Sequence, residues 1–108
     1  MAEKDRERPQ PRHENPVVDN AALVAARAAD HLLAEARERE LVRWTAFLEP
    51  LPDRLRDEGL PALRSVAMRA RAAYGPKDSI RDALPAELTE PFLDAIDRLL
   101  REINRSRA

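Results

Sequence analysis

A chain of 108 residues and 12.3 kDa is one domain's worth, and a domain of that size buries only about two thirds of the surface its unfolded chain exposes. Hydrophobic residues make up 44% and charged residues 36%, with two glycines and no cysteine, which argues against wholesale disorder, disulfides, thiolate metal sites and a strand-rich fold. The formal net charge of -1 excludes a global field of the kind that drives binding to nucleic acid or anionic membrane, so any such activity needs a local patch.

From Met1 to Arg8 the chain alternates acids and bases and lacks the apolar centre of a signal peptide. No run approaches the roughly 18 apolar residues of a membrane span. A soluble, cytoplasmic protein with no membrane partner is therefore expected. Residues 1–15 also hold Pro9 and Pro11 and almost nothing apolar, so they cannot repay the entropy of ordering. They read as a disordered polar arm, with a single helical domain over 16–108. His13 lies in the arm without a companion ligand.

Asn15-Pro16 has the chemistry of an N-cap followed by a first helical residue, because proline lacks only an N–H that would be unbonded there anyway. The helix is predicted to run to Glu49, where Pro50 and Pro52 stop it. At 1.5 Å per residue it would be about 45 Å long. A 100° advance per residue puts Ala22, Ala26, Ala29, Leu33, Ala36, Trp44, Phe47 and Leu48 on one stripe, with Leu23 and Leu41 at its margin. The first half of that stripe is alanine, thin enough for close approach of another helix; the second half carries the chain's one Trp and one of its two Phe. Arg37 and Glu40 interrupt it, and Val24 and Val42 lie on the opposite side.

After Pro52, Leu51 and Leu55 share a face of a short helix that ends near Gly59, a plausible C′ residue. Leu60, Leu63, Ala67, Ala70 and Tyr74 follow at alternating spacings of three and four, with Val66 beside them, and Gly75-Pro76 stops that helix. Ser79-x-x-Asp82 resembles a capping box that would turn Ile80 and Leu84 inward before Pro85. Thr89 is the predicted N-cap of the last helix, with Pro91 in its first turn and Leu88, Phe92, Ile96, Leu99 and Ile103 as its stripe, widened by Leu93 and Leu100. Asp94 with Arg98 and Asp97 with Arg101 are i,i+4 pairs marking its wet side.

The two later helices, about 15 residues each, are roughly 22 Å long and would cover about half of a 45 Å helix. Something must cover the rest: the later helices stacked end to end along it in a self-contained monomer, a second copy, or a different protein. The expected partner interface is Ala22, Ala26, Ala29, Leu33 and Ala36, met by a second copy or by another protein. Ala29→Glu and Leu33→Glu are then expected to weaken assembly while leaving the Trp44 end helical.

Chemistry-bearing patterns are scarce. Ser65, Ser79, Ser106, Thr45 and Thr89 have no flanking glycine elbow, and Gly59 and Gly75 stand alone rather than forming a phosphate-cradling loop. His31 and Glu35 sit one turn apart, but two ligands on a solvated face do not make a metal site. Asp53 with Asp57, Asp78 with Asp82, and Asp94 with Asp97 are carboxylate pairs that any acid-rich helical surface shows. No catalytic residue, cofactor or metal is expected. One asymmetry stands out: from Gly59 to Lys77 every charge is positive, whereas from Asp82 to Asp97 every charge is negative. Arg64, Arg69 and Arg71 are therefore candidates for anion contact, although the two segments also have the charges to neutralise each other. The sequence reads as an all-α, non-enzymatic interaction protein, a homodimeric scaffold or a small accessory subunit. The alternative is an antitoxin-like regulator touching nucleic acid through the Arg64, Arg69 and Arg71 patch.

Overall fold

Asn15 and Pro16 start the first long helix as their chemistry dictates. The Asn15 side chain accepts from the Val18 N–H at 3.3 Å, and Pro16 stands in the first turn. The computed structural model describes residues 12–107, and no strand occurs among them. In order these are a 3-10 turn (Arg12–Glu14), α1 (Pro16–Glu38), α2 (Val42–Leu48), α3 (Leu51–Asp57), α4 (Leu60–Ala72), the single-turn α5 (Ile80–Ala83) and α6 (Ala86–Arg107). No described helix is long and apolar enough to cross a membrane.

The expected continuous helix to Glu49 is wrong. α1 ends at Glu38 because the chain turns through Glu40, which has a left-handed φ of 58°. Glu40 N–H donates to the Arg37 carbonyl at 3.0 Å and Leu41 N–H to the Ala36 carbonyl at 2.9 Å. Those two bonds are the paired closure of a Schellman cap, and the half-buried Leu41 provides its hydrophobic contact with the core. A glycine normally fills that position, and its absence left no local signal. The bend re-aims the bulky half of the stripe. Leu48 becomes fully buried, whereas Trp44 and Phe47 are left half-buried at the edge of the core.

α6 runs antiparallel in sequence order to α1 across the centre of the bundle, α3 packs on the same helix, and α4 lies against α6 and α3. At 22 residues α6 is about 33 Å long against about 35 Å for the 23 residues of α1, so the two are matched in length. α6 gains its extra turn by starting at Ala86, with Leu88 and Thr89 N–H groups bonded to the Pro85 carbonyl, so Thr89 is not its N-cap. Pro91 lies inside the helix. The predicted stripe is otherwise found: Phe92, Ile96, Leu99 and Ile103 are buried, as are Leu63, Val66, Ala67 and Ala70 of α4, Leu51 and Leu55 of α3, and Ile80 and Leu84 around α5. Burying each large aliphatic or aromatic side chain contributes about 1.5–3 kcal/mol, which makes this seam the main source of stability.

That closure overturns the expected partner interface. Ala22, Ala26, Ala29 and Ala36 are all 0% exposed and Leu33 is 8% exposed, covered by the chain's own helices together with Val18, Ala21, Ala25 and Leu32. A second copy cannot reach that face without opening the bundle. The alanines serve instead to bring α1 close to its own neighbours.

The polar arm is also shorter than 15 residues. Arg12 is buried, and its Nη1 donates to the Leu55 carbonyl at 2.6 Å and the Glu58 carbonyl at 3.3 Å, capping the carbonyl end of α3 with positive charge. Its Nη2 lies 3.0 Å from the Asp19 carboxylate in the first turn of α1. Asn15 meanwhile donates to the Ser106 hydroxyl at 2.6 Å, tying the start of α1 to the end of α6. Residues 1–11 and the side chain of His13 lie outside the described residues.

Candidate functional site

Of the three arginines marked by the charge run, the fold brings no two to one place. Arg71 donates from Nε to Asp97 of α6 at 2.9 Å, so part of the basic run is neutralised by the acidic one within the chain. The same bond takes Asp97 from the expected Arg101 pair. Arg64 lines a hollow of about 320 Å³ with Leu60, Pro61 and Ile103, and its Nε is buried without a hydrogen-bond partner. Arg69 points elsewhere, to α2, where its guanidinium carbon sits 5.8 Å from the centre of the Phe47 ring.

Around Phe47 a different cluster assembles. Trp44 and Phe47 are one helical step of three apart on α2 and pack edge to face, with ring centres 5.7 Å apart at 85°. Arg43 lies over the Trp44 ring at 5.6 Å, as Arg69 lies over Phe47. These four side chains and Ala72, Ala73, Lys77 and Asp78 line a hollow of about 350 Å³ between α2 and the carboxyl-terminal end of α4. Asp78 is held at φ 52°, the second left-handed non-glycine residue, which closes the turn after Gly75-Pro76 beside Lys77. Three cations thus face one carboxylate on a chain whose net charge is -1. Among the described residues, Arg43, Arg69 and Lys77 make no ion pair.

Sequence reading missed Arg43 and the convergence as a whole. Arg69 and Lys77 are visible in the positive run, but Arg43 belongs to another helix, and the Glu40 bend alone turns it toward them. Trp44 and Phe47 were readable as a pair by spacing; their half-exposure was not.

A second polar cluster has a structural role. Tyr74 donates from its hydroxyl to the Thr89 carbonyl at 2.5 Å, Arg81 stacks over the Tyr74 ring at 5.4 Å, and Arg81 Nε and Nη2 each reach a Glu90 oxygen at 2.9 Å. Burial pushes the Tyr74 hydroxyl above its ordinary pKa, with the nearby Glu90 charge adding to the rise. The hydrogen bonds from Arg81 hold the exposed Glu90 carboxyl below the usual range. The cluster fastens the end of α4, α5 and the start of α6 together. Ser79 completes it as the N-cap, accepting from the Arg81 N–H at 3.1 Å, whereas the reciprocal Asp82 bond of the expected capping box is not among the hydrogen bonds of the described residues.

No group of three or more His, Cys, Asp or Glu side chains stands close enough to hold a metal ion among the described residues. Glu35, the potential partner of His31, is instead 2.6 Å from Arg39. Compared with known proteins, the chain matches no protein-family model, no curated protein and no solved structure.

Proposed function

We propose that this chain is a non-enzymatic helical interaction module that docks another protein on the α2–α4 face, around Trp44, Phe47, Arg43, Arg69 and Lys77. The observation that carries the reading is the half-burial of the Trp44–Phe47 pair beneath two guanidinium groups, beside a hollow that also gathers Lys77. Trp and Arg are the residue types that most often dominate binding energy at interfaces. Met68, 49% exposed one helical turn before Ala72 on α4, adds apolar area on the same side of that helix, whereas Val42, 80% exposed, lines a different hollow with Arg37, Glu40, Thr45, Ala46 and Glu49. The alanine face of α1 that was expected to meet a second copy is covered within the chain, while Val17, Leu23 and Val24 on its other side stay exposed. A different protein with complementary negative charge is the partner this face fits.

Site-specific photo-crosslinking in the cells that make the protein tests this. A crosslinker in place of Met68 or Ala72 should give discrete adducts, while one at the exposed Arg98 on α6 should not. Equal labelling from Arg98, or no adduct from either face position, would end the proposal.

A further inference from the structure

Resting on that reading, we infer that the α2–α4 hollow takes a short acidic segment of its partner, one apolar side chain seated between Trp44 and Ala72–Ala73 and flanking carboxylates held by Arg43, Arg69 and Lys77. Charge complementarity supports the carboxylates: the face has three cations against Asp78, so an occupant bearing two or more negative charges balances it. The seat for an apolar side chain follows from the walls. The short side chains of Ala72 and Ala73 and the half-buried rings of Trp44 and Phe47 are the apolar lining of a hollow of about 350 Å³.

The same geometry favours peptide over nucleic acid. Base recognition on a single strand uses open aromatic faces on which successive bases stack. Here one face of each ring is already covered by a guanidinium, at 5.6 Å and 5.8 Å, and the rings meet at 85°, which leaves no parallel slot. Three cations are also few for a backbone-tracking groove on a chain of net negative charge. Against carboxylates, by contrast, a guanidinium already lying on an aromatic ring is pre-oriented and loses less freedom on pairing.

Trp44 is the chain's one tryptophan, so its fluorescence reports the site directly. The full-length protein is titrated with a short peptide alternating Glu and Leu, with its Lys and Leu counterpart, and with a short oligothymidylate. The acidic peptide should shift the emission saturably, weaken as salt rises, and bind about tenfold more weakly to Arg69→Glu and to Arg43→Glu. Arg69→Gln should show a smaller loss, and Arg101→Glu on α6 should bind normally. Circular dichroism confirms that each variant is folded. Equal binding of the two peptides, no effect of Arg69→Glu, or preference for the oligothymidylate overturns the inference. So does self-association that Arg69→Glu abolishes, since a second copy would then occupy the face. If the Met68 and Ala72 crosslinks form while the acidic peptide fails to bind, the docking face stands and its acidic occupant falls; if both fail, both fall.

Discussion

The α1–α6 seam and the α2–α4 face both combine large and small apolar residues, to opposite ends. In the seam, small residues on one helix meet large ones on the other: Ala22, Ala26 and Ala29 against a chain segment that supplies Phe92, Ile96 and Leu99, all fully buried. On the α2–α4 face the large residues, Trp44 and Phe47, stay half-buried and line a hollow with the exposed Ala72 and the buried Ala73. The seam is complementary to itself within one chain. The face is open on one side, with three cations among its lining residues, and that difference is what the proposed docking role rests on.

Breaking the seam should have the largest effect. Ala29→Glu places a carboxylate where exposure is zero and no cation is at hand, so it should cost several kcal/mol and unfold the chain rather than merely prevent assembly. Loss of the helical circular-dichroism signal would show this; a folded variant altered only in oligomeric state would restore the partner role of the alanine face. Next, Phe92→Ala should cost about 3–5 kcal/mol in denaturant unfolding. Trp44→Ala, although it removes a larger side chain, should cost about 1 kcal/mol or less because that ring is only half-buried. Similar values for the two would erase the contrast between the regions.

The Tyr74 cluster sharpens the same comparison through pH. Its hydroxyl pKa is raised in the folded state, so the unfolded chain loses that proton first. The stabilisation is complete below the unfolded value of about 10 and is lost as pH rises beyond it. Wild type should therefore lose stability above about pH 10, and Tyr74→Phe, which lacks the titrating group and the bond to the Thr89 carbonyl, should start about 1 kcal/mol lower and fall less steeply. Parallel profiles would show that burial of this hydroxyl is not what couples pH to folding.

The smallest effect is a gain. Glu40→Gly removes the left-handed strain at the cap between α1 and α2 and should raise stability by about 0.5–1 kcal/mol, after allowing for glycine's greater freedom in the unfolded chain. Chemical denaturation measures it. A loss instead would mean that the Glu40 side chain contributes more than its backbone costs. Binding at the hollow should be unchanged, because Glu40 does not line it.

Much of the architecture was legible because it follows from periodicity and end signals carried by nearby residues. The α4 and α6 stripes, the Asn15 cap, the Ser79 cap and the all-helical class all rest on interactions within a few residues of one another. The errors share a cause as well. Among the described residues, Glu40 and Asp78 occupy the two left-handed non-glycine positions, while Gly59 sits extended at φ -76° as the N-cap of α4 instead of ending α3. Tertiary packing selected those bends: Leu41 and Leu48 reach the core only if the chain turns at Glu40, and that burial outweighs a backbone cost of about 1 kcal/mol.

The candidate site was legible only in parts, since Trp44 with Phe47 and the basic residues Arg69 and Lys77 were visible as separate features. The sequence by itself determined which surfaces are apolar, where most helices begin, and that charge is locally segregated, because propensity and spacing act over one or two turns. Only the tertiary structure decided that the alanine stripe faces inward against α6, that Arg12 joins the fold, and that Arg43 meets Arg69 across two aromatic rings. Those outcomes depend on matched helix lengths and on one bend, and both are set by how the whole chain can bury its large side chains at once.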